Sequence, residues 1–184
     1  MAIRKIVVMG HPVLRQVAAK VPEAEISSPK IQTLIRDMVE TMFDYDGRGL
    51  AAPQIDESLQ IVVILWDFDA DKEPSVLCLI NPELEFLTQE KSSYWEGCLS
   101  VPGLRGLVSR PNKLRVKALN QSKENVELTL DGFAATVVQH ECDHLLGKLY
   151  LDRIEDMTKF AFNREYQRFM ATPETAGESE GPEE

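Results

Sequence analysis

The sequence predicts an α+β domain in which short, mostly antiparallel strands surround a central helix carrying His140-Glu141-Cys142-Asp143-His144, with a further helix towards each end of the chain. Three observations lead there. Apolar residues recur at helical spacing near 29–44 and 133–146, and between them lie short apolar runs broken by Pro, Gly and Asn. At 184 residues the chain has the length of one domain with its own core, and it shows no internal repeat.

Hydrophobic residues make up 43% of the chain and charged ones 27%, an ordinary balance for a globular protein. The formal net charge is −10. Half of that excess comes from glutamates in 171–184, a stretch without a basic side chain. The body therefore lacks the basic footprint of a nucleic-acid binder, and no apolar run reaches membrane-spanning length. Neither nucleic acid nor membrane is an expected direct partner. Three cysteines with no framework spacing point to a reducing compartment. The run Ile6-Val7-Val8-Met9 is too short for a leader peptide, so the expected location is cytoplasmic. Composition predicts that 171–184 is a disordered acidic tail behind a domain of residues 1–170.

Ser27-Ser28-Pro29 supplies a helix cap and a first-turn proline, and Ile31, Leu34, Ile35, Met38 and Met42 follow at helical spacing. The spacing predicts an amphipathic helix over 29–44, closed by Asp44–Gly49. Small residues crowd around Gln54 in Leu50-Ala51-Ala52-Pro53-Gln54, which implies a backbone that something approaches closely. Ile61–Trp66 and Val76–Ile80 read as strands, the second stopped by Asn81-Pro82. Further strands are expected at 84–88, 94–100, 104–109, 113–119 and 125–130. The second helix runs over 133–146 and is stopped by Gly147. Its residues Phe133, Thr136, Val137, His140 and His144 share one face. A third helix is expected over 155–170.

H-E-x-x-H places two imidazoles one above the other, where both can reach one ion, and sets a glutamate beside them that can handle protons of a water there. A third ligand is needed. One peptidase pattern would place a histidine where this chain has Tyr150. Another would take a downstream glutamate, and Glu165 is in range but has no recognisable surroundings. His11, in the turn-like Gly10-His11-Pro12, suits a surface or packing role better. Cys98, between Gly97 and Leu99, is the better candidate, since thiolate and imidazole together suit Zn²⁺ or Fe²⁺. A zinc peptidase with another ligand and a metal-stapled peptide-binding module remain the competing readings.

Three motifs in order now make the resemblance specific: Gly47-Arg48-Gly49-Leu50-Ala51-Ala52-Pro53-Gln54, Glu96-Gly97-Cys98-Leu99-Ser100 and Gln139-His140-Glu141-Cys142-Asp143-His144. The chain resembles the peptide deformylases, which remove the formyl group from the N-terminal formylmethionine of newly made peptides. The resemblance implies that residues 1–170 form a deformylase-like catalytic domain. It implies Cys98, His140 and His144 as metal ligands, with water in the fourth position as nucleophile. Glu141 would be the general acid and base, while Gln54 and the Leu99 backbone would stabilise the oxyanion. It implies one divalent ion per chain, Fe²⁺ in cells, with Zn²⁺, Ni²⁺ or Co²⁺ as alternatives. Formate is the other product.

Phe133, Thr136 and Val137 would wall the methionine pocket. Backbone groups around Arg48, Gly49 and Gly97 would pair with the substrate as with an added strand. N-formylmethionyl peptides and nascent chains are the implied partners. Arg48 stands where the family usually has an apolar residue. It reads either as a solvated side chain at the cleft mouth or as an attractor for an acidic substrate residue. In bacterial relatives a basic C-terminal helix can help docking on the ribosome; here the glutamate tail would be repelled by ribosomal RNA.

Overall fold

The helix α2, Gly132–Leu145, lies against strands of two separate sheets, and this arrangement organises the rest of the chain. The computed structural model describes residues 2–68 and 74–171; the acidic stretch from 172 onwards and most of the 67–74 loop lie outside the described residues. Strands β1 (Gly49–Ala51), β2 (Ile61–Trp66), β3 (Ser75–Phe86), β6 (Lys113–Leu119) and β7 (Asn125–Asp131) form an antiparallel sheet in the order β1-β2-β3-β6-β7. Strands β4 (Lys91–Cys98), β5 (Val101–Pro111) and β8 (Phe160–Phe162) form the second sheet, also antiparallel. The fold class is therefore the expected one.

The helix α1, Pro29–Asp44, begins where the sequence places it, with the Ser28 side chain accepting from the Ile31 N–H at 3.3 Å. Ile31, Leu34, Ile35, Met38 and Met42 are all buried, joining Leu50, Ile61 and Val63 in one apolar cluster. Asp37 and Thr41, also buried on α1, hold the N-terminal segment. Asp37 accepts from the Ala2 N–H at 3.0 Å and from Arg4 Nε at 2.9 Å, and Thr41 Oγ1 accepts from the Arg4 N–H at 2.8 Å. That segment then donates from Val7 N to Gln54 O (2.9 Å) and from Met9 N to Ser100 O (2.7 Å). It thus stitches together two loops that lie far apart in sequence.

On its other side the five-stranded sheet meets α2 in a second apolar cluster that includes Val62, Leu79, Leu114, Val116, Val138 and Cys142. Asn112 secures the start of α2, receiving the Gly132 N–H on both its backbone and side-chain oxygens at 3.0 and 3.1 Å. The helix stops before Gly147, whose φ of +69° favours glycine. A Cβ there would also lie 2.7 Å from the Arg15 carbonyl carbon.

Three expectations need correction. Asn81-Pro82 does not stop β3, and 84–88 is not a separate strand. Asn81 takes a positive φ of 54°, the ladder shifts register between Ile80 and Glu83, and the strand runs on to Phe86. A bulge tolerates the missing N–H of Pro82. The expected strands at 94–100 and 104–109 are offset versions of β4 and β5, which meet at a turn through Leu99 and Ser100. The third helix, α3, covers only Asn163–Phe169. Asp156 accepts from the Thr158 N–H at 2.9 Å and fixes a 3-10 turn, after which Phe160–Phe162 pair with Leu104–Gly106. An available strand edge overrides helical spacing there. Among the described residues no helix is long and apolar enough to cross a membrane.

Candidate metal centre and active site

Cys98 ends β4, and His140 and His144 project from α2 one turn apart. Their ligand atoms all lie within 4.8 Å of one another, with Cys98 Sγ and His144 Nε2 at 3.4 Å. The two imidazoles meet edge to face at a centroid distance of 5.2 Å. One thiol and two imidazole nitrogens converging in a largely buried site are a donor set for a borderline-soft divalent ion. Glu165 and His11 take no part in this group. Tyr150 is buried and stacks on His140 at 6.1 Å, so it packs against the group of three rather than joining it.

The second motif and the third are joined by charges that the sequence reading left without roles. Glu96 Oε2 accepts from His140 Nδ1 at 2.8 Å, which leaves Nε2 free to face an ion. Arg110 forks onto both oxygens of Glu96 at 2.6 and 2.9 Å and reaches Asp143 at 2.7 Å. Arg153 closes the far side of Asp143 at 2.6 and 3.1 Å. Glu96, Arg110 and Asp143 are all buried. Losing Arg110 alone would take the guanidinium partner from the buried Glu96 carboxylate, a class of change that costs about 3–5 kcal/mol. Burial opposes the charge on Glu96, but Arg110 and His140 outweigh it and hold the carboxyl below its usual range. Asp143 follows the same balance, with Arg153 and Arg110 prevailing over burial. A glutamate two residues before the candidate cysteine and an aspartate beside the second histidine were the available signals. Arg110 and Arg153 carried none.

Glu141 is buried, and its Oε2 has no hydrogen-bond partner. Burial pushes its carboxyl up to about 7, against a smaller opposite pull from His140. A bound cation would draw it down again. The reason for small residues in the first motif becomes concrete here: a Cβ on Gly49 would lie 2.6 Å from Glu141 Cδ. The close neighbour of that backbone in this fold is the glutamate itself.

Gln54 is 1% exposed, and its amide is oriented at both ends. Oε1 accepts from the Ala51 N–H at 2.8 Å, while Nε2 points to Cys98 Sγ at 3.5 Å and Ser100 Oγ at 3.3 Å. Leu99 follows Cys98 in the turn between β4 and β5. Gly97 sits at the irregularity between Glu96 and Cys98, where the nearest atoms to a Cβ would be those of Arg105, at 3.7 Å or beyond, and the Leu104 carbonyl at 3.8 Å. Nothing in the fold itself demands glycine there. Thr136 and Val137 are buried on α2, and half-buried Phe133 packs against Tyr94 (5.3 Å) and Phe68 (6.2 Å). The Arg48 side chain is 44% exposed and forms an ion pair. Its NH1 donates to both oxygens of Asp67 at 2.8 and 3.0 Å, and its guanidinium lies 5.9 Å above the Phe133 ring.

Residues 3–160 match the Polypeptide deformylase family. The chain belongs to the peptide deformylase family, an enzyme class that hydrolyses the formyl amide. It is 44% identical over 170 residues to the peptide deformylase of Leptospira biflexa, covering 90% of this chain and 95% of that one. Against peptide deformylase 1 of Bordetella pertussis the identity is 46% over 166 residues, or 87% and 92% of the two chains. Among solved structures, the Thermotoga maritima peptide deformylase is similar with a TM-score of 0.75 at 39% identity, covering 85% of this chain and 100% of that one. The Acinetobacter baumannii class I type b enzyme with bound Met-Ala-Ser superposes with a TM-score of 0.76 at 34% identity, covering 83% and 99%.

Proposed function

We propose that this chain removes the N-formyl group from the N-terminal formylmethionine of nascent and newly synthesised peptides, using a divalent ion held by Cys98, His140 and His144. The observation that carries the reading is the convergence of those three donors within 4.8 Å beside a buried, half-unpartnered Glu141 and the oriented amide of Gln54. The donor set fits the ion: the Glu96 bond leaves one nitrogen of His140 free, and Gln54 Nε2 abuts the sulfur. When bound, Fe²⁺, or Zn²⁺, Ni²⁺ or Co²⁺ in its place, polarises the formyl carbonyl and acidifies water.

The protein groups divide the remaining work. Glu141 accepts the proton of the attacking water and returns it to the departing amine, so formate and a free N-terminus are the products. Gln54 Nε2 and the Leu99 N–H donate to the oxygen that gains charge as water adds to the formyl carbon. The substrate lies extended along β1, an edge strand of its sheet, pairing with backbone around Arg48, Gly49 and Gly97. Its methionine side chain rests against Phe133, Thr136 and Val137.

Formate release from formyl-Met-Ala tests the reading, with Glu141→Ala and Cys98→Ala alongside. The parent should release formate, Glu141→Ala should lose about 10²–10⁴ in rate while keeping its ion, and Cys98→Ala should lose the ion itself. Full activity in Cys98→Ala would remove the cysteine from the ligand set. Cleavage of internal peptide bonds without formate would make the chain a peptidase.

A further inference from the structure

The charge chain behind His140 ends at a residue that touches neither the ligands nor the substrate cleft. Arg153 lies in the 3-10 turn Tyr150–Arg153, and its side chain is 39% exposed. Exposed pairs such as Lys20–Glu83 have both partners in solvent and tie down little. Asp143 differs, because it is only 4% exposed and both of its oxygens accept from arginine donors. Its Oδ2 accepts from Arg110 NH1 at 2.7 Å and Arg153 Nε at 3.1 Å, whereas Oδ1, among the described residues, accepts from Arg153 NH2, at 2.6 Å. Arg110 in turn spends two donors on Glu96, which orients His140 through Nδ1.

We propose that Arg153 is a positioning residue for His140, holding Asp143 so that Arg110 keeps its fork on Glu96. The proposal rests on reading Cys98, His140 and His144 as a metal centre. With Arg153 gone, Asp143 Oδ1 loses its arginine donor, and Arg110 is the charged donor already in contact with the same carboxylate. Drawn towards Asp143, Arg110 loosens its grip on Glu96, and the His140 ring loses a fixed aim. Asp143 also anchors the end of α2, its carbonyl accepting from Leu146 N and Lys148 N at 2.9 Å, so the backbone next to His144 shifts with it. A cavity of about 410 Å³, bordered by Arg110, Asp143, Arg153, Gln139 and Cys142, flanks this network on the side of α2 away from the two histidines. It gives the side chains room to rearrange in this way.

Arg153→Gln and Arg153→Lys in the metal-loaded full chain test the proposal, with Arg115→Gln as control. Arg115 is comparably exposed (35%) and pairs with Glu85 and Glu127 at a distance from the network. Arg153→Gln should give up its ion to EDTA about 10–100 times more readily than the parent, and the visible spectrum of its Co²⁺-loaded form should shift. Arg153→Lys should recover part of the retention, since lysine restores the charge but not the planar fork. Arg115→Gln should match the parent. If Arg153→Gln retains metal like the parent with an unchanged Co²⁺ spectrum, whatever its melting temperature, the proposal is overturned. Equal loosening in Arg115→Gln overturns it too. Should Arg153→Gln fail to fold, the lysine variant decides by the same two readouts. A parent that binds metal tightly but releases no formate would sink the proposed function and leave this inference standing.

Discussion

Gly49 lies so close to Glu141 that a Cβ at residue 49 would stand 2.6 Å from the carboxyl carbon and 2.8 Å from Cγ. The edge strand β1 and the helix α2 therefore meet at the candidate catalytic carboxylate. Gly49→Ala should push Glu141 aside by a fraction of an ångström to an ångström, a misplacement able to cost about a hundredfold in rate. Steady-state kinetics with formyl-Met-Ala and metal analysis of the same sample check this. Metal content should stay at the parent level while kcat falls, and an unchanged kcat would show that Glu141 tolerates the shift.

Gln54→Glu separates two jobs of one side chain. The substitution keeps the Oε1 acceptor for the Ala51 N–H but removes the donor that faces Cys98 and Ser100. A loss of about 10²–10³ in kcat, with the fold intact by circular dichroism, is the outcome expected from the proposed role of Gln54 as an oxyanion donor.

Arg48 is neutralised by Asp67, so the parent should turn over formyl-Met-Ala and formyl-Met-Asp with similar kcat/KM. Asp67→Asn releases the guanidinium. Exposed charge pairs are worth about 0.2–1 kcal/mol, so the preference for the acidic peptide should rise by no more than about fivefold and fade with added salt. A strong acidic preference in the parent would show that Asp67 does not mask Arg48.

Asp37 sets a pH dependence of stability. Burial opposes its charge, but the bonds from Arg4 and the Ala2 N–H prevail and hold its carboxyl below the ordinary 3.8. A group with a depressed folded value contributes stability above its unfolded value and loses it as pH falls through the folded one. Urea midpoints should therefore drop as pH goes from about 5 to below 3.8, and Asp37→Asn should flatten that drop while lowering stability at pH 7. Parallel pH curves for the two proteins would rule Asp37 out as a contributor.

Much of this protein was legible along the chain because the signals were local. The cap at Ser28 and the apolar stripe from Ile31 to Met42 encode α1 within a single turn repeat, and H-E-x-x-H puts His140 and His144 on one face through helix geometry alone. Cys98 and Gln54 could be named because each lies in a short motif whose neighbours carry the resemblance. The shortened third helix was not legible, since Phe160–Phe162 respond to the edge of β5, more than fifty residues earlier. The run of β3 past Pro82 likewise depends on a bulge and on a partner strand that the local sequence does not announce.

The sequence by itself determined α1 and α2, the fold class and the residue types of the candidate metal-binding group. Only the tertiary structure decided that Gly49 makes room for Glu141, that Asp67 occupies Arg48, and that Glu96, Arg110, Asp143 and Arg153 form one chain of charges behind His140. The physical reason is range. Helical periodicity and caps act over three or four residues, whereas buried charges must find partners wherever folding brings them, here from four separate elements of the chain.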